Sequence, residues 1–321
     1  MGKAFRMKRA FVFPGQGSQA VGMGRGLAEA FPAARDLFQE VDEMLSQRLS
    51  RLMFEGPASD LTLTENAQPA LLAASLAVIR VLESEGGLTF GRHVAYVAGH
   101  SLGEYSALAA VRAVTVADAV RLVKLRGRTM QRAVPVGTGA MAALLGVDVE
   151  AARAVVVEAV RSEPDEICTV ANDNAPGQVV VSGHRRAIER AVAIARERGA
   201  RSVILPVSAP FHSALMSPAA GVMEKALAET ELRPPLVPLV ANLSAFAIGD
   251  PAEIKRQLVG QVTAMVRWRE SMHYLKTAGV EEVAEIGSGR VLTGLSRRID
   301  PDLTACSVCT ATEVDALMKV L

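Results

Sequence analysis

Short apolar runs alternate with stretches of helical spacing along this chain, and that alternation predicts an α/β protein. Arg9-Ala10-Phe11-Val12-Phe13 reads as a buried strand, closed by the loop Pro14-Gly15-Gln16-Gly17-Ser18-Gln19. Helical periodicity runs from about Arg25 to Arg51 and again from Pro69 to Leu82, with Pro69 at a first helical position. Val94 to Ala98 is a strand, Glu104 to Ala110 a helix, and a further helix begins near Thr115 and continues through Arg132. From Gly139 the rhythm shortens. Met141 to Val147 is a strand and Val149 to Arg161 a helix; the strands Ile167 to Ala171 and Gln178 to Val181 flank the turn Asn172 to Gly177; the helix His184 to Arg198 and the strand Arg201 to Val207 follow. A βαββαβ order marks a ferredoxin-like unit. Residues 137–207 are therefore expected to form a small subdomain inserted into a large α/β domain made of 1–136 and 208–321. Helices near Ala214 to Glu231 and Pro251 to Leu275, with strands Val237 to Asn242 and Val283 to Ile286, complete the large domain. Nothing repeats at a solenoid period and no segment is low-complexity.

Composition narrows the function classes. Half of the 321 residues are hydrophobic but only 4% are aromatic, so the core is expected to be Ala, Val and Leu. With 35 Lys and Arg against 34 Asp and Glu, no global field favours nucleic acid or a membrane surface. The 3 cysteines are too few for a disulfide framework, and the lone CxxC, Cys306 to Cys309, lacks the second pair a zinc site would need. No metal site is expected. Met1 to Arg9 is basic, but the apolar run after it, Ala10 to Phe13, is too short for a signal peptide. The longest uncharged apolar run, Pro69 to Ile79, falls below the ~20 residues that span a bilayer. A cytoplasmic protein is expected.

The candidate chemistry centres on Gly99-His100-Ser101-Leu102-Gly103, a GxSxG pentapeptide between a strand and a helix. That order pushes one serine hydroxyl out at the end of a sheet, beside a helix N-terminus whose free N–H groups hold developing negative charge. A serine that merely caps the helix is the alternative. The base must come from His93, His100, His184, His212 or His273. His212 lies on a loop just past a strand, where catalytic groups often sit; His100, next to the serine, fits a packing role better. Arg126 faces the apolar side of its helix, among Leu122, Val123, Thr129 and Met130, whereas Arg121, Lys124, Arg128 and Arg132 lie on the polar side. A guanidinium facing a core needs an anion, which is either a structural ion-pair partner or a substrate carboxylate. Gly15 to Ala20 superficially fits GxGxxA, but no second strand ending in Asp or Glu follows, so Gln16 reads better as a donor near the serine.

These segments, together with Gln68-Pro69-Ala70-Leu71, Glu104-Tyr105, Pro210-Phe211-His212 and Val291-Leu292-Thr293-Gly294-Leu295, resemble the malonyl-CoA:acyl carrier protein transacylases of bacterial fatty acid synthesis, in order across nearly the whole chain. The resemblance implies a hydrolase-like α/β domain with an inserted ferredoxin-like subdomain. It implies that Ser101 is acylated, that His212 is its base, that Arg126 binds the malonyl carboxylate, and that the backbone N–H groups of Gln16 and Leu102 form the oxyanion hole. It also implies a main-chain carbonyl in place of a triad aspartate, assigned here to Arg267. Two departures fall near that position and in a later loop: Ala264-Met265 stands where the family has Asn-Pro, and Gly287-Ser288-Gly289 where it has Gly-Pro-Gly.

The implied reaction is ping-pong, from malonyl-CoA through malonyl-Ser101 to the phosphopantetheine thiol of acyl carrier protein, with coenzyme A released and no cofactor. The implied partners are malonyl-CoA, coenzyme A and acyl carrier protein, without nucleic acid or membrane, and the enzyme is expected to be a monomer. Arg185, Arg186, Arg190, Arg196, Arg198 and Arg201 make the small subdomain basic and suit it to an acidic carrier protein. Three other functions fit parts of the pattern: loading of another acyl unit in polyketide synthesis, an ordinary serine hydrolase, and a non-catalytic docking subunit.

Overall fold

Strand pairing follows the buried runs. The structure, a computed structural model, describes residues 7–207 and 209–321; the basic stretch 1–6 and Ser208 lie outside the described residues. Among the described residues the strands are β1 (Arg9–Phe13), β2 (Tyr96–Gly99), β3 (Gly139–Leu145), β4 (Cys168–Ala175), β5 (Gln178–His184), β6 (Arg201–Ile204), β7 (Leu239–Val240), β8 (Ala247–Ile248), β9 (Glu282–Ile286) and β10 (Thr304–Val308). Six of them form one sheet in the order β10-β9-β1-β2-β7-β8, parallel except for the last pair. A parallel sheet needs cover on both faces. Alternation along β1 supplies it, since Phe11 and Phe13 pack into one apolar cluster and Ala10 and Val12 into another, with Trp268 and Met272.

The other four strands form an antiparallel sheet in the order β4-β5-β3-β6. Its helices, Val149–Ala159 and Arg185–Glu197, pack Val155 and Ile188 against Ala142, Leu144 and Val181. The connectivity is ferredoxin-like, and the fold is a hydrolase-like α/β core with a ferredoxin-like unit set into it.

Several boundaries differ from the sequence reading. The single helix expected over Arg25 to Arg51 is three, Arg25–Ala30, Pro32–Leu45 and Leu49–Glu55. Pro32 has no N–H with which to continue the first helix, so it opens the second, and Ser46 ends that one at φ 47°. Pro69 does not start its helix but lies inside Thr64–Ser84. Burial sets that start, because Asn66 accepts from the Lys124 ammonium at 3.0 Å and Gln68 from the Arg126 guanidinium at 3.1 Å, which pins the first turns to the neighbouring helix. Thr64–Ser84 is long and apolar enough to cross a membrane, but 83% of its most apolar window is buried inside the protein, where it serves as a core helix. The helix expected over Pro251 to Leu275 is two, Pro251–Gln261 and Trp268–Thr277. The chain between them brings Val266 onto β4, where its N–H donates to Ala171 at 2.9 Å and its carbonyl accepts from Asp173 at 3.0 Å. Asn172 to Ala175, read as part of a turn, are strand residues on a bulged β4; their polar character reflects this junction between the sheets. The strand β10 and the helices Val291–Ile299 and Ala311–Met318 were not expected. The CxxC lies at the end of β10: Cys306 faces Glu282 and Cys309 faces Glu313, and burial pushes both thiols up to about 11.

Candidate active site

Ser101 stands at the carboxyl end of β2, next to the loop that follows β1. The strand reverses into the helix Gly103–Ala110 so tightly that a Cβ on Gly99 would lie 1.9 Å from the Gly103 carbonyl carbon, and one on Gly103 would lie 2.3 Å from the Phe13 oxygen. Only glycine fits at either position. The serine takes φ 53°, a left-handed conformation that costs energy unless the surroundings enforce it. Asn242, just past β7, does so: its Oδ1 accepts the Ser101 N–H at 2.7 Å and its Nδ2 donates to the Gly99 carbonyl at 2.7 Å. The sequence reading missed Asn242. Nothing local marks an asparagine after a two-residue strand; its role comes from the pairing of β7 with β2.

His212 is brought to the serine from 111 residues away, with Nε2 2.8 Å from Ser101 Oγ. Its Nδ1 lies 2.9 Å from the Gln261 carbonyl. A carbonyl only accepts, so Nδ1 carries the proton and Nε2 accepts from the serine hydroxyl. Burial, followed by the charge of Arg126, pushes the imidazole down to about 3, which leaves a neutral base. Arg267, expected to offer this carbonyl, does not. Its oxygen is taken by the N–H of Ser271 at 3.0 Å and the hydroxyl of Ser271 at 2.8 Å, inside the first turn of the Trp268–Thr277 helix. Gln261 ends the preceding helix, where carbonyls lack helical partners and are free to accept. Three of the other histidines serve elsewhere. His100 Nε2 meets Asn174 Oδ1 at 2.9 Å with its ring 5.5 Å from Trp268, and His93 and His184 accept backbone N–H bonds from Thr89 and Ile167.

Arg126 is 1% exposed. Its donors reach Gln68 Oε1 at 3.1 Å, Gln261 Oε1 at 2.9 Å and Ser101 Oγ at 3.0 Å, and Nε has no partner. Its direct partners are thus two neutral amides and a hydroxyl, with no carboxylate among them. The site therefore presents at the serine a cation with no carboxylate bonded to it, where it favours alkoxide and attracts an anion. Glu104, also 1% exposed, is the nearby acid. Burial pushes it up to about 8 against the pull of the Asn242 and Gln261 N–H groups and of Arg126, and with both oxygens accepting hydrogen bonds the geometry is that of the carboxylate. Gln16 lines the same cavity as the serine, with Nε2 3.3 Å from Thr64 Oγ1, and the Leu102 N–H, at the helix N-terminus, makes no backbone hydrogen bond among the described residues. A cavity of about 430 Å³ opens over these groups and is lined also by Met141, Asn172, Val180 and Phe211.

Fold and site together define an acyl transferase, and the family model for the acyl transferase domain matches residues 10–282. The chain belongs to the malonyl CoA-acyl carrier protein transacylases within that class. It is 45% identical over 315 residues to the malonyl CoA-acyl carrier protein transacylase of Bacillus subtilis, covering 98% of this chain and 97% of that one. It matches the crystal structure of acyl-carrier-protein-S-malonyltransferase from Bartonella henselae with TM-score 0.95 and 52% identity, over 98% of this chain and 99% of the other. It also matches a malonyl-transacylase in complex with a type II PKS acyl-carrier protein, with TM-score 0.93, 41% identity, and coverage of 97% and 99%.

Proposed function

We propose that this protein moves a malonyl group from malonyl-CoA to the phosphopantetheine thiol of acyl carrier protein through an ester on Ser101. The observation that carries the reading is a buried arginine, without a carboxylate partner, that touches the nucleophile. Its free charge suits an acyl group that brings its own carboxylate. Ser101 attacks the thioester carbonyl while His212 Nε2 takes its proton; Gln16 and Leu102 N–H groups hold the oxyanion, and the proton passes to the departing coenzyme A thiol. The carrier thiol then attacks the ester, giving its proton to His212, which returns it to Ser101. Each turnover exchanges one thioester for another, so the chemistry is nearly balanced and asks for no cofactor. The imidazole is braced by a carbonyl where an ordinary hydrolase uses a carboxylate.

In this reading 1–136 and 208–321 form the acylating body and 137–207 the small subdomain that carries the basic helix toward the carrier protein. The same reading takes the enzyme as a cytoplasmic monomer, and the near-neutral charge and the burial of Thr64–Ser84 support a role without nucleic acid or membrane partners. Incubation with malonyl-CoA alone, followed by intact-mass and peptide analysis, is expected to show one malonyl group on Ser101 and none on Ser101→Ala. Turnover with an unmodified serine would end the ping-pong scheme.

A further inference from the structure

One buried carboxylate joins all three groups of the site. Glu104, one residue past the GxSxG turn, accepts the Asn242 backbone N–H at 2.6 Å with Oε1. Its Oε2 accepts from Gln261 Nε2. Asn242 holds the Ser101 turn, the Gln261 main chain holds His212, and the Gln261 side chain holds Arg126. The polarity of this chain of bonds has one solution. A backbone N–H and a guanidinium only donate. Gln261 must therefore turn its oxygen to Arg126 and its nitrogen to Glu104, and Glu104 must accept at both ends.

Resting on the malonyl reading above, we propose that Glu104 is a positioning residue that sets the sense of the Gln261 side-chain amide and thereby seats Arg126 for a substrate carboxylate. Glu104 touches no reacting atom. Its effect reaches the substrate through one amide group, and the bond from Gln261 Nε2 to the Ser101 carbonyl at 3.0 Å supports the same orientation.

The near-isosteric Glu104→Gln tests this. The Asn242 N–H cannot turn round, so it takes the new amide oxygen, and the new NH2 then faces Gln261 Nε2. Gln261 then meets a donor on both sides: unflipped, its NH2 opposes the new NH2, and flipped, its nitrogen meets Arg126 and its oxygen the Ser101 carbonyl, so either arrangement disturbs the seat of Arg126. Steady-state transfer from malonyl-CoA and from acetyl-CoA is measured for both proteins, with melting temperatures. The ratio of malonyl to acetyl kcat/KM is expected to fall about tenfold or more, with the larger part of the loss in the KM for malonyl-CoA, because acetyl-CoA has no free carboxylate. An equal fall for the two substrates, or no change in either, would overturn the proposal. Should Glu104→Gln fail to fold, Glu104→Asp decides: its carboxylate still only accepts, so the malonyl-to-acetyl ratio is expected to stay within about threefold of the original even where both rates drop, and a collapse of that ratio overturns the proposal. The unmodified protein separates the two readings, because failure to turn over malonyl-CoA would count against the function and not against the role of Glu104.

Discussion

Arg126 places a full charge at a position 1% exposed with only neutral partners, which makes it the residue whose removal separates substrates most clearly. A charge-assisted bond to a malonyl carboxylate contributes about 1.5–3 kcal/mol. Arg126→Ala is therefore expected to lower malonyl kcat/KM by roughly 10-fold to 10²-fold, at ~1.4 kcal/mol per factor of ten. Acetyl transfer, with no carboxylate to bind, is expected to survive, and parallel kinetics on a folded mutant check the split. His212 carries a pH prediction. An ordinary imidazole would lose half its base at its usual value of 6.5, but this one is held down to about 3. Malonyl kcat/KM is thus expected to stay flat as pH falls through 6.5, with no half-loss there in a pH–rate profile. Because the neutral form is favoured in the folded state, the stability it contributes is present above 6.5 and drains away as pH falls from there toward about 3.

The helix Arg185–Glu197 shows what an element adds to its composition. Six arginines in and beside it make the small subdomain basic, but the folded unit spends two of them internally: Arg190 pairs with Glu166, and Arg198 with Glu158. Arg185 and Arg186 remain exposed at the helix N-terminus, though Arg185 Nε also holds the Gly137 carbonyl at 2.8 Å. Reversing both charges is expected to raise the KM for acyl carrier protein, and the increase should shrink as salt screens the approach. Acylation by malonyl-CoA should not change. A carrier KM unmoved by the reversal would put docking elsewhere.

Across the whole molecule, the seam between the sheets keeps the cavity in shape. Val266 bonds to β4, His100 reaches Asn174, and Arg269 pairs at 2.8 Å with Asp173, whose side chain is 2% exposed. Removing the arginine strands a buried carboxylate, at a cost of about 3–5 kcal/mol. Arg269→Ala is therefore expected to lower the melting temperature by several degrees, at ~2–4 °C per kcal/mol for chains somewhat smaller than this one, in a scanning melt at pH 7. A melting temperature within a degree of the original would mean that Asp173 is satisfied by other means.

The sequence by itself determined the elements whose signals are local. The strand-turn-helix around Ser101 was legible because two glycines and an apolar run are short-range marks; the βαββαβ unit, because its periodicity alternates within about seventy residues; and Arg126, because one cation stood on the wrong face of a helix. Tertiary structure alone decided which partner each group met. Asn242, Gln261 and Glu104 act across separations of 138 to 160 residues, and a hydrogen bond between buried polar groups leaves no periodic trace in either segment. The same limit misplaced the carbonyl behind His212. A free carbonyl depends on where a helix stops, and that helix stops at Gln261 because the chain beyond it must reach β4.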